Sequence, residues 1–190
     1  MLSSVKTDLD LKVKKFLKQF TGTVFAYIPD HNPNLPVIHS ELLDLNRQTE
    51  GYGIFLSVNG FTGGKRDSAH LTSLNALFCD IDYPDKVNRD PAKIQAYKNE
   101  LVQELFEMDF LPTDIVETKN GLHVYWFFKQ PIFLAEYNAE QRDVLLSNYR
   151  KVEEAILLRF EGDPNAKDTA RVLRVPGTMH QKNPNDPFEI

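Results

Sequence analysis

The chain has 190 residues, of which 42% are hydrophobic and 26% are charged. This composition is that of an ordinary globular protein, and the length suits one large domain. The formal net charge of −5 argues against a protein that binds nucleic acid over its whole surface. A local basic cleft stays compatible with it, because acidic residues concentrate at 80–109 and 136–154 and basic ones at 65–66 and 167–182.

Cysteine content and hydropathy exclude several further classes. Cys79 is the only cysteine, which rules out an intrachain disulfide and a multi-cysteine zinc site. No apolar stretch reaches the length of a membrane helix, so no membrane partner is expected. The segment 1–10 contains two aspartates and no apolar core, unlike a signal peptide, and we expect a cytoplasmic protein.

The first part of the chain predicts both helices and strands. Apolar spacing predicts, in chain order, a helix over Leu9–Phe20, a strand over Thr23–Ile28, a short helix over Ser40–Arg47 and a strand over Tyr52–Asn59. Ser40 is the candidate cap of the short helix. A loop containing Gly63 and Gly64 follows the strand and ends in Lys65 and Arg66.

The remaining elements include a hairpin. The patterns predict a strand over Leu74–Asp82, a helix over Pro91–Glu107, strands over Thr113–Glu117 and Leu122–Phe128, a long helix over Asn138–Phe160 and a short strand over Arg171–Val175. Asn120 and Gly121 separate two of these strands, which is typical of a β-hairpin. The order of elements predicts an α+β fold rather than a doubly wound sheet.

Asp80 and Asp82 are the most informative residues. They end the apolar strand Leu74–Asp82, and side chains two apart on a strand point to the same face. Two neighbouring carboxylates favour a counter-charge, and Mg²⁺ and Mn²⁺ prefer such oxygen ligands. Acidic pairs after a strand are also common turn formers, so the pair by itself leaves both interpretations open.

His123 follows the Asn-Gly turn at the start of a strand. It is either a structural histidine at the sheet margin or a ligand to a phosphate or a metal, because an anion can approach backbone N–H groups beside a glycine. Arg171 and Arg174 precede Pro176 and Gly177. They either pair with carboxylates of the sheet or bind phosphate through their guanidinium groups.

The loop residues Lys65 and Arg66 also have two interpretations. At a loop tip they are solvated charges in the more common case. Beside the other elements they are candidates for contact with a nucleotide or with a template backbone.

These motifs occur in an order that resembles the archaeo-eukaryotic primase (AEP) superfamily. The DxD at Asp80 and Asp82, the stretch Gly121–Trp126 and the stretch Asp168–Thr178 are similar to the primase-polymerase domains of plasmids, phages and CRISPR-associated proteins. The resemblance extends from about Tyr52 to Lys182. It implies an RRM-like mixed or antiparallel sheet with flanking helices, in one catalytic domain over residues 1–190. That domain would have an N-terminal part at about 1–70 and its catalytic motifs at 71–182.

The resemblance also implies a set of site residues. Asp80 and Asp82 would bind two Mg²⁺ or Mn²⁺ ions together with a third aspartate, Asp163 by preference or Asp168 as the alternative. His123 would contact the phosphates of the incoming nucleotide. Gly121 stands where the family often has serine, so the backbone N–H there would replace a hydroxyl donor. Residues that would contact phosphate or template are Arg171, Arg174, Lys182, Lys65 and Arg66.

The implied activity is template-directed nucleotidyl transfer by a DNA primase or polymerase. Its partners would be a single-stranded DNA template, a primer and dNTPs or NTPs, with a helicase-like or CRISPR-associated region beyond this chain if it is a fragment. The alternatives are a metal-dependent nuclease, a rolling-circle initiator and a non-catalytic single-strand-binding module. A rolling-circle initiator needs a His-x-His pair, and Tyr125 stands where the second histidine would be.

Overall fold

A computed structural model describes residue 11 and residues 13–162 and 168–190 of the chain. Its strands are β1 (Phe25–Pro29), β2 (Ile38–Ser40), β3 (Tyr52–Ser57), β4 (Gly60–Phe61), β5 (Leu71–Asp82), β6 (Asp114–Glu117), β7 (Gly121–Phe133), β8 (Val172–Arg174), β9 (Met179–His180) and β10 (Phe188–Glu189). The long helices are α1 (Pro91–Phe106) and α2 (Ala139–Arg159). Residues 11 and 13–17 are also helical, and the rest of the predicted N-terminal half of that helix lies outside the described residues.

Two four-stranded antiparallel sheets form the scaffold. The first has the strand order β2-β1-β3-β8, and the second has the order β4-β5-β7-β6. The strands β9 and β10 form a separate two-stranded ribbon. The antiparallel sheets and the intervening helices confirm the predicted α+β fold.

The longest pairing in the second sheet joins β5 to β7. It aligns Asp80 with His123 and Asp82 with Gly121 on neighbouring strands. The register shifts between Leu74 and Ala76, which is a bulge-like irregularity. Beyond that point the pairing is continuous to the end of β5. The two aspartates and the histidine therefore lie at the same end of these two paired strands.

The predicted hairpin is present, but its glycine has a different role from the one expected. Neither Asn120 nor Gly121 has a positive φ, so the turn does not use the left-handed conformations that usually explain Asn-Gly. A Cβ on Gly121 would instead overlap the carbonyl oxygen of Ile81. Thr118 closes the turn, because its hydroxyl accepts a hydrogen bond from the N–H of Gly121 at 3.0 Å.

Side-chain caps start both long helices. The carboxylate of Asp90 accepts a hydrogen bond from the N–H of Ala92, and Pro91 occupies the first turn of α1. Asn138 and Gln141 form a reciprocal capping box at the start of α2. Both helices therefore begin where the sequence predicts.

The predicted helix over Ser40–Arg47 is wrong. Ser40 ends β2 and pairs with Phe25 of β1, so the sheet takes up the residue that was expected to cap the helix. A short 3₁₀ helix, Leu45–Gln48, begins only after Asp44, whose carboxylate accepts the N–H of Asn46. Ser40 and Asp44 are both residue types that can cap a helix. Because Ser40 pairs in the sheet, the helical turn begins after Asp44.

The core lies between the sheets and the helices. It is continuous from Phe16 through Phe78 to Trp126, and the ring of Phe16 contacts the ring of Tyr125 edge to face. Trp126 is buried and its indole N–H donates to the carbonyl of Phe110. Among the described residues, none of the helices combines the length and the apolar character that a membrane span requires.

Substituting Gly121 tests the steric role of the turn. We expect Gly121→Ala to lower the free energy of unfolding by about 3 kcal/mol, because the new Cβ has to displace β5 or β7. Asn120→Ala is the matched control in the same turn and should have little effect. Urea denaturation of both variants measures the difference, and equal stabilities would contradict the steric role.

Candidate active site

A cleft of about 860 Å³ opens between the two four-stranded sheets. The first sheet contributes the ends of β1 and β8, and the second contributes the ends of β5 and β7. The helix α1 and the segment around β9 and β10 form the other walls. Strand ends from both sheets therefore line one concave surface, which is a common arrangement for a ligand site.

Asp80, Asp82 and His123 lie together in this cleft. Asp80 stands directly opposite His123, and the imidazole Nε2 lies 3.6 Å from the Asp80 Oδ1. Asp82 is exposed at the end of β5. The period of two along the strand accounts for the shared face of both aspartates, as the sequence predicts.

His123 is buried within the floor of the cleft. Burial lowers the pKa of its imidazole; the Asp80 carboxylate opposes this shift, whereas Arg174 and Arg171 reinforce it. The imidazole is therefore neutral at neutral pH. Its Nδ1 is buried and has no hydrogen-bond partner among the described residues.

Arg171 lies just before β8 and contacts Asp80. Its guanidinium Nη2 donates to the Asp80 Oδ2 at 3.1 Å. Both groups are only about a quarter or less exposed, so the interaction is less screened than a surface ion pair. In this structure a cation from one sheet thus offsets part of the charge of a carboxylate on the other.

Arg174 has a different environment. It makes two hydrogen bonds to the Asp30 carboxylate, at 2.6 and 3.2 Å, and lies over the ring of Phe55. A Cβ on Gly53 would lie within 2.7 Å of both charged groups, so glycine makes room for the pair. Asp30 also accepts the N–H of Gln181. This buried pair joins the ends of β1 and β8 to the segment that follows β9.

The cleft is locally basic although the chain is acidic. Among the residues that the structure describes, six lysines and arginines line it against four aspartates: Arg89, Lys98, Lys119, Arg171, Arg174 and Lys182, with Asp30, Asp80, Asp82 and Asp186. His180 also lines the cleft, and burial together with neighbouring cations lowers its pKa to about 4. An anionic ligand would therefore meet a field of favourable sign.

Some predicted site residues are not part of the cleft. Lys65 and Arg66 do not line it, and Arg66 donates instead to the carbonyl of Ala170 at 2.6 Å. Asp168 is exposed and accepts the N–H of Ala170, which makes it a turn residue outside the cleft. Asp163 lies outside the described residues. The predicted residues that do line the cleft are Asp80, Asp82, His123, Arg171, Arg174 and Lys182.

Sequence reasoning missed two lysines that hold the β6–β7 turn. Lys98 of α1 is buried and donates to the carbonyl of Thr118 and to Glu117. Lys119 contacts Asp186, and thereby links the turn to the segment before β10. A lysine on the buried stripe Ile94, Lys98, Leu101 and Leu105 of α1 is a signal that the sequence carries, since lysine is rarely fully buried without a partner.

The residues in the cleft fit a hard divalent cation. Among the described residues no cluster of three or more ligand side chains could hold a metal ion. Asp80 and Asp82 nevertheless supply two carboxylates at a cleft with surplus positive charge, and Mg²⁺ commonly uses one or two carboxylates together with substrate phosphates. The two carboxylates therefore suit a metal site in which substrate phosphates supply further ligands.

Comparison with known proteins adds three findings. No family model matches the chain. A replication protein of Clostridium perfringens is 27% identical over 149 residues, which are 76% of this chain and 33% of that protein. The chain thus spans about a third of the length of the curated relative it matches.

The third finding concerns the fold. The AEP domain of the cyanophage S-2L primase-polymerase (PrimPol) superposes with a TM-score of 0.59 and 18% sequence identity, over 90% of this chain and 83% of that one. The chain has the fold of an AEP domain. In this AEP fold the DxD motif and the histidine that follows it in the sequence line one cleft.

The pair Asp30–Arg174 should stabilise the AEP fold of this chain. We expect Asp30→Ala to lower the free energy of unfolding by about 3–5 kcal/mol, because Arg174 would remain buried without its partner. The double variant Asp30→Leu with Arg174→Leu should recover much of this loss. Denaturation experiments measure both values.

Glu50→Ala is the control for that experiment. It removes a carboxylate from an exposed pair with Arg47, and solvation of both partners should leave stability nearly unchanged. Equal effects of Asp30→Ala and Glu50→Ala would contradict the role of the buried pair.

Proposed function

We propose that this chain catalyses template-directed nucleotidyl transfer as a DNA primase or polymerase. The observation that carries the proposal is the convergence of Asp80, Asp82, His123 and Arg171 at one basic cleft of an AEP fold. The replication protein of Clostridium perfringens supports a role in replication. The substrates would be a single-stranded DNA template, a primer and dNTPs or NTPs.

The aspartates have the role of holding divalent cations in this proposal. Asp80 and Asp82 would bind Mg²⁺ or Mn²⁺ with one further carboxylate. Bound ions of this kind lower the pKa of an attacking hydroxyl and neutralise charge on the phosphates. Asp163 is the proposed third ligand, since Asp168 is exposed in a turn outside the cleft. Gly162, just before Asp163, packs against the carbonyl of Asp80.

The remaining residues would bind and orient the nucleotide. His123 lines the cleft, and its imidazole, whose pKa burial lowers, would contact a phosphate of the nucleotide in its neutral form. Arg171 contacts Asp80 and would reorient to donate two hydrogen bonds to a phosphate, because guanidinium groups bind phosphate in a bidentate geometry. Lys182 is exposed on the opposite wall and adds positive charge. Phosphoryl transfer needs mainly such positioning and charge neutralisation.

Arg174 would act indirectly. Its guanidinium is occupied by Asp30 and Phe55, so we assign it to holding β8 and Arg171 in place rather than to phosphate binding. Lys65 and Arg66 lie outside the cleft and would at most contact a strand that passes over the surface. In this proposal residues 1–190 form one catalytic unit, because Asp30 from the N-terminal part and Asp80 line the same cleft.

The rolling-circle alternative lacks its His-x-His metal pair, because Tyr125 stands at the position of the second histidine. The Tyr125 side chain is fully buried and packs against Phe16 and Phe127, so it does not take the place of a metal ligand there. The nuclease and the non-catalytic module remain outcomes of the test.

The decisive test of the proposal is incubation with single-stranded template, Mn²⁺ and labelled nucleotides, with and without an annealed primer. Extended or newly initiated products support the proposed activity. A shortened template would indicate a nuclease, and binding without either product would indicate a non-catalytic module. Each of the last two results overturns the proposal.

The aspartate pair should be essential for synthesis. We expect Asp80→Asn with Asp82→Asn to lower the rate of incorporation by about 10²-fold or more, because the metal ligands are lost. Asp109→Asn is the control, since it makes the same type of substitution at one exposed residue outside the cleft. Circular dichroism checks that the variants are folded, and retained synthesis would contradict the metal assignment.

The third ligand can be identified by a paired comparison. We expect Asp163→Asn to abolish synthesis and Asp168→Asn to retain most of it, because Asp168 only caps a turn. Single-turnover incorporation rates measure both variants. If Asp168→Asn alone is inactive, the third ligand is Asp168.

A further inference from the structure

The edge of β5 that faces away from β7 has a strand partner only near its start. β4 pairs with it at Ser73 and Leu71, and no strand among the described residues continues that pairing toward Asp82. In a strand, the N–H and C=O of one residue point to the same side, and successive residues alternate. The carbonyl of Ile81 faces β7, where Gly121 packs against it. The backbone groups of Ala76, Phe78 and Asp80 therefore face the open edge.

Two side chains of α2 take the place of the missing strand. The hydroxyl of Tyr149 donates to the carbonyl of Ala76 at 2.8 Å, and the N–H of Phe78 donates to the Glu153 Oε1 at 3.0 Å. Tyr149 and Glu153 are four residues apart and thus lie on one helix face. Each side chain satisfies one backbone group of β5: the earlier helix residue, Tyr149, meets the earlier strand residue, and Glu153 meets the later one.

The same row of contacts reaches the first metal-ligand candidate. A Cβ on Gly162 would lie 3.3 Å from the carbonyl oxygen of Asp80 and 2.7 Å from the sulfur of Cys79. The chain after α2 therefore passes closely along the next position of the open edge. Contacts at Ala76, Phe78 and Asp80 together fix the position of the strand that ends in the aspartate pair.

Glu153 is chemically unusual for this location. Its side chain is fully buried on the helix face that also carries Leu157, where an apolar residue would satisfy packing alone. Burial raises the pKa of Glu153 to about 8, and the hydrogen bond from Phe78 opposes this shift. A neutral carboxyl accepts the N–H without adding a negative charge near Asp80 and Asp82. An aliphatic residue would leave that N–H unsatisfied.

We propose that Glu153 and Tyr149 are positioning residues, which complete the open edge of β5 and thereby hold Asp80 and Asp82 in the geometry that binds the divalent cation. This inference rests on the proposed function for the role of the cation. The two residues contact neither the cation nor the nucleotide, and they act only through the backbone of β5.

The test compares three variants with the wild-type chain. Glu153→Leu removes the acceptor, Glu153→Gln keeps an oxygen acceptor of nearly the same shape, and Tyr149→Phe removes the hydroxyl. Glu154→Leu is the control, because it makes the same change at the exposed neighbouring position of α2. The measurements are Mn²⁺ affinity by electron paramagnetic resonance with the metal alone, thermal unfolding in a metal chelator, and the kcat and KM of nucleotide incorporation.

The expected result separates positioning from general stability. Glu153→Leu should weaken Mn²⁺ binding and lower kcat by about 10-fold to 100-fold, as loss of an outer-shell partner does. Glu153→Gln should restore both to within about threefold, and Glu154→Leu should match the wild type. Tyr149→Phe should have a smaller effect in the same direction, since its contact is farther from Asp80 along β5. Unfolding of the variants should remain cooperative.

Two results would overturn the inference. One is a folded Glu153→Leu chain with wild-type Mn²⁺ affinity, and the other is equal impairment of Glu153→Leu and Glu153→Gln. If Glu153→Leu does not fold, Tyr149→Phe decides, and unchanged Mn²⁺ affinity in that variant overturns the inference. Mn²⁺ binding is measured without synthesis, so a wild-type chain that binds Mn²⁺ through this edge but incorporates no nucleotide refutes only the proposed function.

Discussion

The antiparallel pairing of β5 with β7 is the constraint on which the site depends. It places His123 opposite Asp80, and it brings Gly121 so close to Ile81 that no larger residue fits there. A slip of one residue would turn every side chain of one strand to the other face, which would move Asp80 and Asp82 out of the cleft and turn the buried Ile81 between them toward it. The register that buries Ile81 therefore also fixes the carboxylates in the cleft.

Both four-stranded sheets contribute charged residues to the cleft. Asp80 and Asp82 come from the second sheet, and the cation that contacts Asp80 comes from the segment before β8 in the first. The pair of Asp30 with Arg174 holds β1 and β8 together beside that cation. Because buried charges are costly without partners, these ion pairs keep the cleft ordered while leaving it a positive surplus for an anionic ligand.

The helix α2 connects the stability of the fold with the geometry of the site. A sheet edge without a neighbouring strand leaves backbone groups that need other partners. Tyr149 and Glu153 provide them from a helix whose other faces are largely exposed. A buried polar helix residue thus has a defined function in supporting a strand that carries site residues at its end.

Local sequence patterns predicted most of the strands and helices and the shared face of the aspartate pair, but not the pairing of Ser40 in β2. Capping by Asp90 and Asn138, the hairpin and the period of two in β5 all depend on residues within a few positions of one another. The separate environments of Arg171 and Arg174, the outward position of Asp168 and the contact of Glu153 with Phe78 arise only from the packing of distant segments. Those outcomes depend on contacts such as Arg171 with Asp80, which are 91 residues apart, and Phe78 with Glu153, which are 75 apart. Local periodicity carries no information about such partners, because only the packing of the two sheets and α2 brings them together.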